Sequence, residues 1–307
     1  MDGVDLSTWI AALNGAEPID VESMRRFMER FARWGLRETA MTPVYGLAEA
    51  GLAVTFSDIR RPPVVTEFER MSLSKQGQAK VGSGRKLISI GRPMTGLDVR
   101  ICDERDNQLK AGLVGRIMIK GPSITPGYYN DPEVTARTIR NGWLDTGDLG
   151  FIHESHLYIT GRSKDLIIIR GQNIAPQEVE ELLSDIEGIR AGCIAAVSAS
   201  IEGLGEQLIV LAEKDVRRPR PEKELAGAIR ERVIEGIALI PYQVQILEPG
   251  TLPRTSSGKM RRSEALRMYL SGELVPPEKM GALKLLSKVG KSQLAWGRFR
   301  LRHYNAD

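Results

Sequence analysis

Four short stretches of the sequence combine polar side chains with a glycine in a way that an apolar core does not require. They are residues 14–18 (NGAEP), 45–49 (YGLAE), 143–150 (WLDTGDLG) and 161–165 (GRSKD). Taken singly, each stretch is equally typical of a turn, a surface ion pair or an aromatic core residue. Together they supply an aromatic ring for a base, carboxylates for Mg²⁺ and for ribose hydroxyls, and an arginine near the same sugar. The set therefore predicts a nucleotide site.

Two glycine-containing loops do not fit the common phosphate-binding patterns. Residues 256–259 (SSGK) suggest a phosphate loop, but the Walker pattern requires glycine where Pro253 stands and Ser or Thr where Met260 stands. Residues 81–84 (VGSG) lack the preceding strand and the following helix of a dinucleotide-binding turn. We interpret the second loop as a flexible connection.

Histidine and cysteine usage argues against metal and hydrolase chemistry. His153 and His156 stand in a segment that is more typical of a hairpin with a polar tip than of a metal site. None of the three histidines adjoins a candidate Ser or Cys nucleophile, so we do not expect a hydrolase triad. Cys102 and Cys193 lie in apolar runs, which predicts small buried side chains in a reducing compartment.

Composition and charge are those of a globular protein. The 307 residues are 42% hydrophobic and 27% charged, which excludes a disordered chain, and the length predicts two domains. The net charge of +4 is uneven, because residues 275–307 hold seven Lys/Arg and two Asp/Glu. The rest shows no basic face, so no nucleic-acid partner is expected. Without a signal-peptide pattern or an apolar run of ~18 residues, we expect a cytoplasmic protein with no transmembrane segment.

Hydrophobic periodicity predicts the elements that position the four polar stretches. A helix is expected over residues 20–34, capped by Asp20 and ended by Gly35, with Met24 and Phe27 on its apolar face. From about residue 85 to 160, short alternating segments predict hairpins in a small barrel or an antiparallel sheet. Further elements are expected at strands 98–103, 115–120, 166–169, 192–199, 207–213 and 243–247, a helix from Pro176 that includes Ile186, and a helix over 221–236.

Seven motifs occur in a recognisable order from about residue 5 to 274. They are NGAEP, YGLAE, GRPMTGLDVRI, GPSITPGYYNDPEVT, WLDTGDLG, GRSKDLIIIRG and PRTSSGKMRR. In this order they resemble the adenylate-forming enzymes, which include acyl-CoA synthetases, fatty acyl-AMP ligases, luciferases and peptide-synthetase adenylation domains. The long interval between Glu49 and Gly91 and the run KDLIIIRGQNIAP most resemble the fatty acyl-AMP ligase branch, with the long-chain acyl-CoA synthetases as the close alternative.

The resemblance implies a fold and a domain organisation. The chain is expected to combine α/β and α+β classes. Residues 1–161 would form the C-terminal part of the large AMP-binding domain, that is, the end of an α/β subdomain and a β-barrel-like subdomain over 85–160. Residues 162–274 would form a compact, mobile α+β domain. A basic amphipathic tail follows over 275–307, and we favour a terminal helix packed on its own domain over a helix that docks on a membrane surface or a carrier protein.

The resemblance also implies an activity. Such an enzyme joins a fatty acid or another carboxylate to ATP, releases pyrophosphate, and passes the acyl group from acyl-AMP to a pantetheine thiol of an acyl carrier protein or CoA. Its cofactors would be ATP/AMP and Mg²⁺, with CoA or phosphopantetheine as the acyl acceptor.

Individual roles follow only from the matching motif positions. Lys259 would stabilise charge between the substrate carboxylate and the α-phosphate, and Glu49 would be catalytic as the Mg²⁺ ligand. Lys164 would be the hinge, and Gly171 would belong to the loop that positions the thiol acceptor. The implied nucleotide-binding residues are Asn14, Gly15, Ala16, Tyr45, Gly46, Asp148 and Arg162.

One element of the family pattern is not found in this sequence. The Ser/Thr/Gly-rich loop that holds the β- and γ-phosphates of ATP does not precede Asn14. We therefore expect an N-terminal half outside this sequence and an incomplete site in the isolated chain. The alternative from another class is a non-catalytic nucleotide-binding protein, or partner protein, descended from such an enzyme.

Overall fold

The computed structural model describes residues 3–276, which form a mixed α/β structure. The helices are α1 (Val21–Ala32), α2 (Arg70–Gln76), α3 (Pro132–Thr138), α4 (Pro176–Leu182), α5 (Glu222–Ile237) and α6 (Arg262–Leu270). The strands are β1 (Ala12–Asn14), β2 (Met41–Leu47), β3 (Leu52–Phe56), β4 (Val65–Phe68), β5 (Arg85–Ile88), β6 (Arg92–Pro93), β7 (Asp98–Cys102), β8 (Gly115–Lys120), β9 (Ile139–Arg140), β10 (Trp143–His153), β11 (His156–Arg162), β12 (Ile167–Ile169), β13 (Gln172–Ile174), β14 (Ile189–Ile201), β15 (Gly205–Lys214) and β16 (Gln243–Leu247).

The first sheet has the order β1-β2-β3-β6, and its β1 and β2 are parallel. Helix α1 connects these two strands. The predicted cap is confirmed, because the Asp20 carboxylate accepts hydrogen bonds from the backbone N–H groups of Glu22 and Ser23. The predicted apolar face is only partly right: Met24 is buried, whereas Phe27 is 37% exposed.

The second sheet is antiparallel, in the order β11-β10-β8-β7, with β9 added on β10. It matches the sheet alternative rather than a closed barrel, since no pairing joins β7 to β11 within residues 3–276. The predicted hairpin with a polar tip is confirmed, because His153 pairs with His156 across a two-residue turn. Both turn residues, Glu154 and Ser155, have positive φ (48° and 64°), as expected for a tight hairpin turn.

The third sheet has the order β14-β15-β16 and carries apolar side chains on both faces. Helix α5 covers one face with Leu225, Ile229 and Val233, as its periodicity predicts, while α6 packs on the other. One boundary differs from the sequence prediction. Helix α4 ends at Leu182, so Ile186 is buried beyond the helix rather than on it.

A segment between β3 and β6 packs against helix α4. It contains β4, α2 and β5, and its arginines pair with a helix glutamate: Arg70 and Arg85 both contact Glu178, the latter at 3.5 Å. The hydrophobic clusters otherwise fall on either side of residue 162. The domain limits remain a prediction, and the predicted tail helix lies outside the described residues.

Within the described part of the chain, none of the helices is both long and apolar enough to cross a membrane.

Two isoleucines on α5 test its buried face. Ile229 is fully buried in the core, whereas Ile234 is 44% exposed on the same helix. We expect Ile229→Ala to lower the free energy of unfolding by about 2–5 kcal/mol, because a cavity replaces buried methyl groups. The matched Ile234→Ala change should cost less than about 1 kcal/mol. Urea unfolding followed by circular dichroism measures both, and equal losses would contradict this orientation of α5.

Candidate functional site

A cavity of about 500 Å³ opens where the first sheet, the second sheet and the C-terminal part of the chain meet. All four polar stretches singled out in the sequence contribute wall residues, and the loop after β16 adds Lys259 and Met260. The predicted site residues that line the cavity are Ala16, Tyr45, Gly46, Asp148, Arg162 and Lys259. The structure therefore brings together six residues from five separate parts of the sequence.

The carboxylate of Asp148 is the central polar group of this wall. Its Oδ2 accepts a hydrogen bond from the Tyr45 hydroxyl at 2.7 Å, and its Oδ1 accepts one from Arg162 Nε at 2.8 Å. Asp148 is buried, whereas about half of the Arg162 side chain is exposed. A carboxylate offers about four lone-pair sites, so both oxygens retain acceptor capacity for a ligand.

The strand β10 holds Asp148 by local hydrogen bonds. Thr146 Oγ1 donates to the Ile117 carbonyl at 2.9 Å on the neighbouring strand and accepts from the Asp148 backbone N–H at 3.1 Å. One step earlier, Asp145 accepts from the Gly147 N–H at 3.0 Å. The TGD turn is thus tied to β8, and the direction of the Asp148 side chain is set before any ligand arrives.

Burial and the neighbouring charge stabilise the protonated form of Tyr45. Burial raises the pKa of the Tyr45 hydroxyl well above its ordinary value, and the Asp148 charge adds to this effect. The Arg162 guanidinium has a raised pKa, first because of its hydrogen bond to Asp148. Tyr45 is therefore a donor and Arg162 a cation at any physiological pH.

The turn after β1 brings the backbone into the cavity. Ala16 has a φ of 70°, and a Cβ on Gly15 would lie 2.6 Å from the Val44 carbonyl oxygen, so this close approach requires glycine. Lys259 reaches this turn from the loop between β16 and α6. Its Nζ donates to the Ala16 carbonyl at 3.0 Å.

Five of the predicted site residues are not part of the cavity wall. Asn14 ends β1, Gly15 packs on Val44, and Glu49 lies in a short 3₁₀ helix, Ala48–Ala50, just after β2. Lys164 is exposed in the 3₁₀ helix Ser163–Asp165, and Gly171 is exposed in the turn between β12 and β13.

Sequence patterns missed a second group of residues near the site. Arg85, Gln177, Glu181 and Arg262 also line the cavity. For Arg85 the only signal is its charge, and charged residues are usually solvated. Arg262 ends the motif PRTSSGKMRR, but that motif gives it no role. For Gln177 and Glu181 a signal exists: both lie in the first turns of a helix begun by Pro176, on a chain segment next to a motif.

Comparison with known proteins shows the family. A family profile described as "AMP-binding enzyme" matches residues 2–129. The long-chain-fatty-acid–AMP ligase FadD23 of Mycobacterium tuberculosis is 34% identical over 290 residues, which are 88% of this chain and 49% of that protein. The chain belongs to the AMP-binding, adenylate-forming enzymes, as its motifs indicate.

Two further relatives are similarly close. The medium-chain-fatty-acid–[acyl-carrier-protein] ligase JamA of Moorena producens is 34% identical, over 94% of this chain and 51% of that protein. A structure from a study of fatty acyl-adenylate ligases of E. coli and L. pneumophila matches with a TM-score of 0.79 at 34% identity, over 87% of this chain and 49% of that one. The chain spans about half the length of the curated relatives it matches.

Glu181 should make the stability of the protein depend on pH. Burial raises its pKa to about 7; Arg85, at 3.9 Å, opposes this effect, and Asp20, Glu178 and Glu180 add to it. The unfolded carboxyl group ionises near pH 4.5. The protonated native form is therefore favoured, and the stability it confers is lost as the pH rises from about 4.5 to 7.

The matched variant is Glu181→Gln, which cannot ionise. We expect its free energy of unfolding, relative to the wild type, to be higher at pH 8 than at pH 5 by about 1–2 kcal/mol, since one pKa unit corresponds to about 1.36 kcal/mol and part of the side chain is exposed. Urea unfolding at both pH values measures the difference. A constant difference between the two proteins would contradict the raised pKa.

Proposed function

We propose that this chain carries the nucleotide-facing and lysine-bearing part of a fatty-acid adenylating ligase. The enzyme forms acyl-AMP from a carboxylate and ATP and passes the acyl group to a pantetheine thiol of a carrier protein or of CoA. The observation that carries the proposal is the contact of Lys259 with Ala16 in the cavity that Tyr45 and Asp148 also line. Relatives named as fatty-acid ligases support the substrate class.

The polar wall of the cavity suits adenosine. The Tyr45 ring lies beside the glycine backbone and offers a surface for the base, while Asp148 offers acceptors for ribose hydroxyls. Arg162 donates a hydrogen bond to the Asp148 carboxylate and would contact the same ribose. Because Asp148 is held in place by Tyr45 and Arg162, the ribose would meet an acceptor that needs no reorganisation.

Lys259 is the proposed catalytic residue. Its ammonium group would leave the Ala16 carbonyl, or share it, and lie between the substrate carboxylate and the α-phosphate. There it would stabilise the negative charge that develops as the acyl–phosphate bond forms. Lys259 reaches the cavity from the loop between β16 and α6, whereas Asp148 lies on β10 of the second sheet, so the site is assembled only when both parts of the chain are in contact.

Glu49 fits the proposed role of Mg²⁺ ligand. Its Oε1 accepts from the Tyr128 hydroxyl at 2.9 Å, while its Oε2 has no hydrogen-bond partner within residues 3–276. The preceding residue, Ala48, lines the cavity. Mg²⁺ in nucleotide sites is commonly held by one or two carboxylates together with phosphate oxygens, so a single free carboxylate oxygen suffices. The ion would neutralise phosphate charge there.

Two exposed segments suit the second half-reaction. Lys164 stands in the short 3₁₀ helix after Arg162, where the chain passes from the second sheet to the C-terminal part. We place the hinge there, between domains 1–161 and 162–274. Rotation about it would withdraw Lys259 and bring the exposed Gly171 turn to the site for the thiol acceptor.

A cytoplasmic location of the enzyme is part of the same proposal.

The unpaired edge of the first sheet is a suitable contact surface for the proposed N-terminal half of the enzyme. Within the described residues β1 pairs with β2 on one side only, and Trp9, Ile10 and Leu13 are exposed beside it. A polypeptide that carries the remaining adenylation domain would extend this sheet and cover these side chains, whether as part of a longer chain or as a separate protein. It would also supply the loop for the β- and γ-phosphates.

Nucleotide binding by the chain itself tests the role of Asp148. We expect Asp148→Asn to weaken AMP binding about 10- to 100-fold, since hydrogen bonds to a charged group contribute about 1.5–3 kcal/mol. The matched control, Asp98→Asn, changes an exposed aspartate on β7 and should bind as the wild type does. Titration calorimetry with AMP and with 2′,3′-dideoxy-AMP measures the affinities of the wild type and of both variants. Equal wild-type affinity for the two nucleotides would contradict the ribose contact.

Carboxylate-dependent ATP–pyrophosphate exchange tests the proposed function. With the N-terminal half present, we expect exchange, and Lys259→Ala should lower its rate about 10²- to 10³-fold, as does the loss of one preorganised donor elsewhere. Lys110→Ala, in an exposed loop, is the control. Exchange that survives Lys259→Ala would contradict the catalytic role, and robust exchange by the isolated chain would contradict its incompleteness.

An assay of acyl transfer by the same reconstituted enzyme identifies the thiol acceptor of the acyl group. Acyl-AMP that accumulates with CoA present but is consumed by a holo-carrier protein supports the acyl-AMP ligase assignment. Rapid formation of acyl-CoA would assign the enzyme to the acyl-CoA synthetases.

A further inference from the structure

Lys259 is presented by a hairpin that belongs to none of the three main sheets. Residues 253–261 fold back on themselves through a bridge between Arg254 and Met260. The Thr255 backbone N–H donates to the Lys259 carbonyl at 2.9 Å, and the Lys259 N–H donates to Thr255 Oγ1 at 3.0 Å. The tip is exposed, so sheet pairing does not support the lysine.

The base of this hairpin is fixed by a buried carboxylate. Glu213, on β15, is 1% exposed, and its Oε1 accepts from the Leu252 backbone N–H at 2.9 Å. Its other oxygen accepts from Arg190 at 2.8 Å. Just beyond the hairpin, Arg262 donates to both oxygens of Glu180, at 2.8 and 2.6 Å. Both ends are therefore anchored, and the tip requires a separate support.

Arg254 provides the contacts that join the tip to the body of the C-terminal sheet. Its Nη1 donates to the carbonyl of Gly258, the residue before Lys259, at 2.7 Å. Its Nη2 donates to the Gly192 carbonyl and lies 3.4 Å from Cys193 Sγ. Gly192 and Cys193 lie in the part of β14 where its register with β15 shifts, between Ile189 and Ile194. One planar guanidinium thus spans the hairpin turn and the strand.

We propose that Arg254 is a positioning residue for Lys259: it fixes the hairpin turn against β14 so that the ammonium group reaches the cavity. This inference rests on the proposed function for the role of Lys259, but the support of the hairpin is independent of it. The Arg254→Lys substitution would keep the charge, but a single ammonium group could not bridge two carbonyls as a planar guanidinium does.

Hydrogen exchange of the chain tests the support without requiring activity. We expect Arg254→Gln to speed exchange in residues 253–261 about tenfold, because loss of a charged donor favours local opening. Arg254→Lys should lie between that variant and the wild type. Arg218→Gln, on an exposed arginine of the same domain, is the control. Exchange in β14–β15 should not change; unchanged exchange in residues 253–261 would overturn the proposal.

A double-mutant cycle in the reconstituted enzyme tests the link to Lys259. We expect Arg254→Gln to lower kcat for acyl-AMP formation about tenfold or more with little change in the KM for ATP, since misplacement of a reacting group slows the step itself. In a Lys259→Ala background it should cause no further loss. An equal loss in both backgrounds would overturn the proposal. Absence of acyl-AMP with the wild type would contradict the proposed function instead, and hydrogen exchange would still decide the support.

Discussion

The candidate site depends on the hydrogen bonds that the buried Asp148 carboxylate accepts from Tyr45 and Arg162. A carboxylate is unfavourable in a protein interior unless it is paired and hydrogen-bonded. Tyr45 on β2 and Arg162 on β11 supply these hydrogen bonds, and the bond from Tyr45 links the first sheet to the second. The polar part of the cavity wall around Asp148 is thereby formed by the protein's own residues.

Much of the fold could be predicted because its causes are local. The cap of α1 at Asp20 and the strand over Gly115–Lys120 depend on residues a few positions apart, and the structure contains both, although residues 116–119 are all buried instead of alternating. The apolar periodicity predicts Ile186 on a helix because it continues past Leu182, where α4 ends. The contact of Tyr128 with Glu49 joins residues 79 positions apart, and no pattern in a single sequence indicates such a pair.

The candidate site could be predicted to a similar extent, and for a related reason. Motif order identified Ala16, Tyr45 and Asp148, and all three line the cavity. The opposite wall was missed, because Arg85 lies in a strand outside the motifs and Glu181 in a helix whose acidic run is typical of a solvated face. Their burial results from the packing of the segment before β6 on α4, which only the three-dimensional structure shows.

The one-sided pairing of β1 also bears on how the chain behaves in solution. Within residues 3–276 its outer edge has no strand partner, and it lies next to exposed Trp9, Ile10 and Leu13. Such an edge is a template for any extended segment, including the same edge of a second molecule. The surface that the proposed N-terminal half would cover is therefore also a site of self-association for the isolated chain. A polypeptide that covers this edge would keep the chain soluble as well as complete its site.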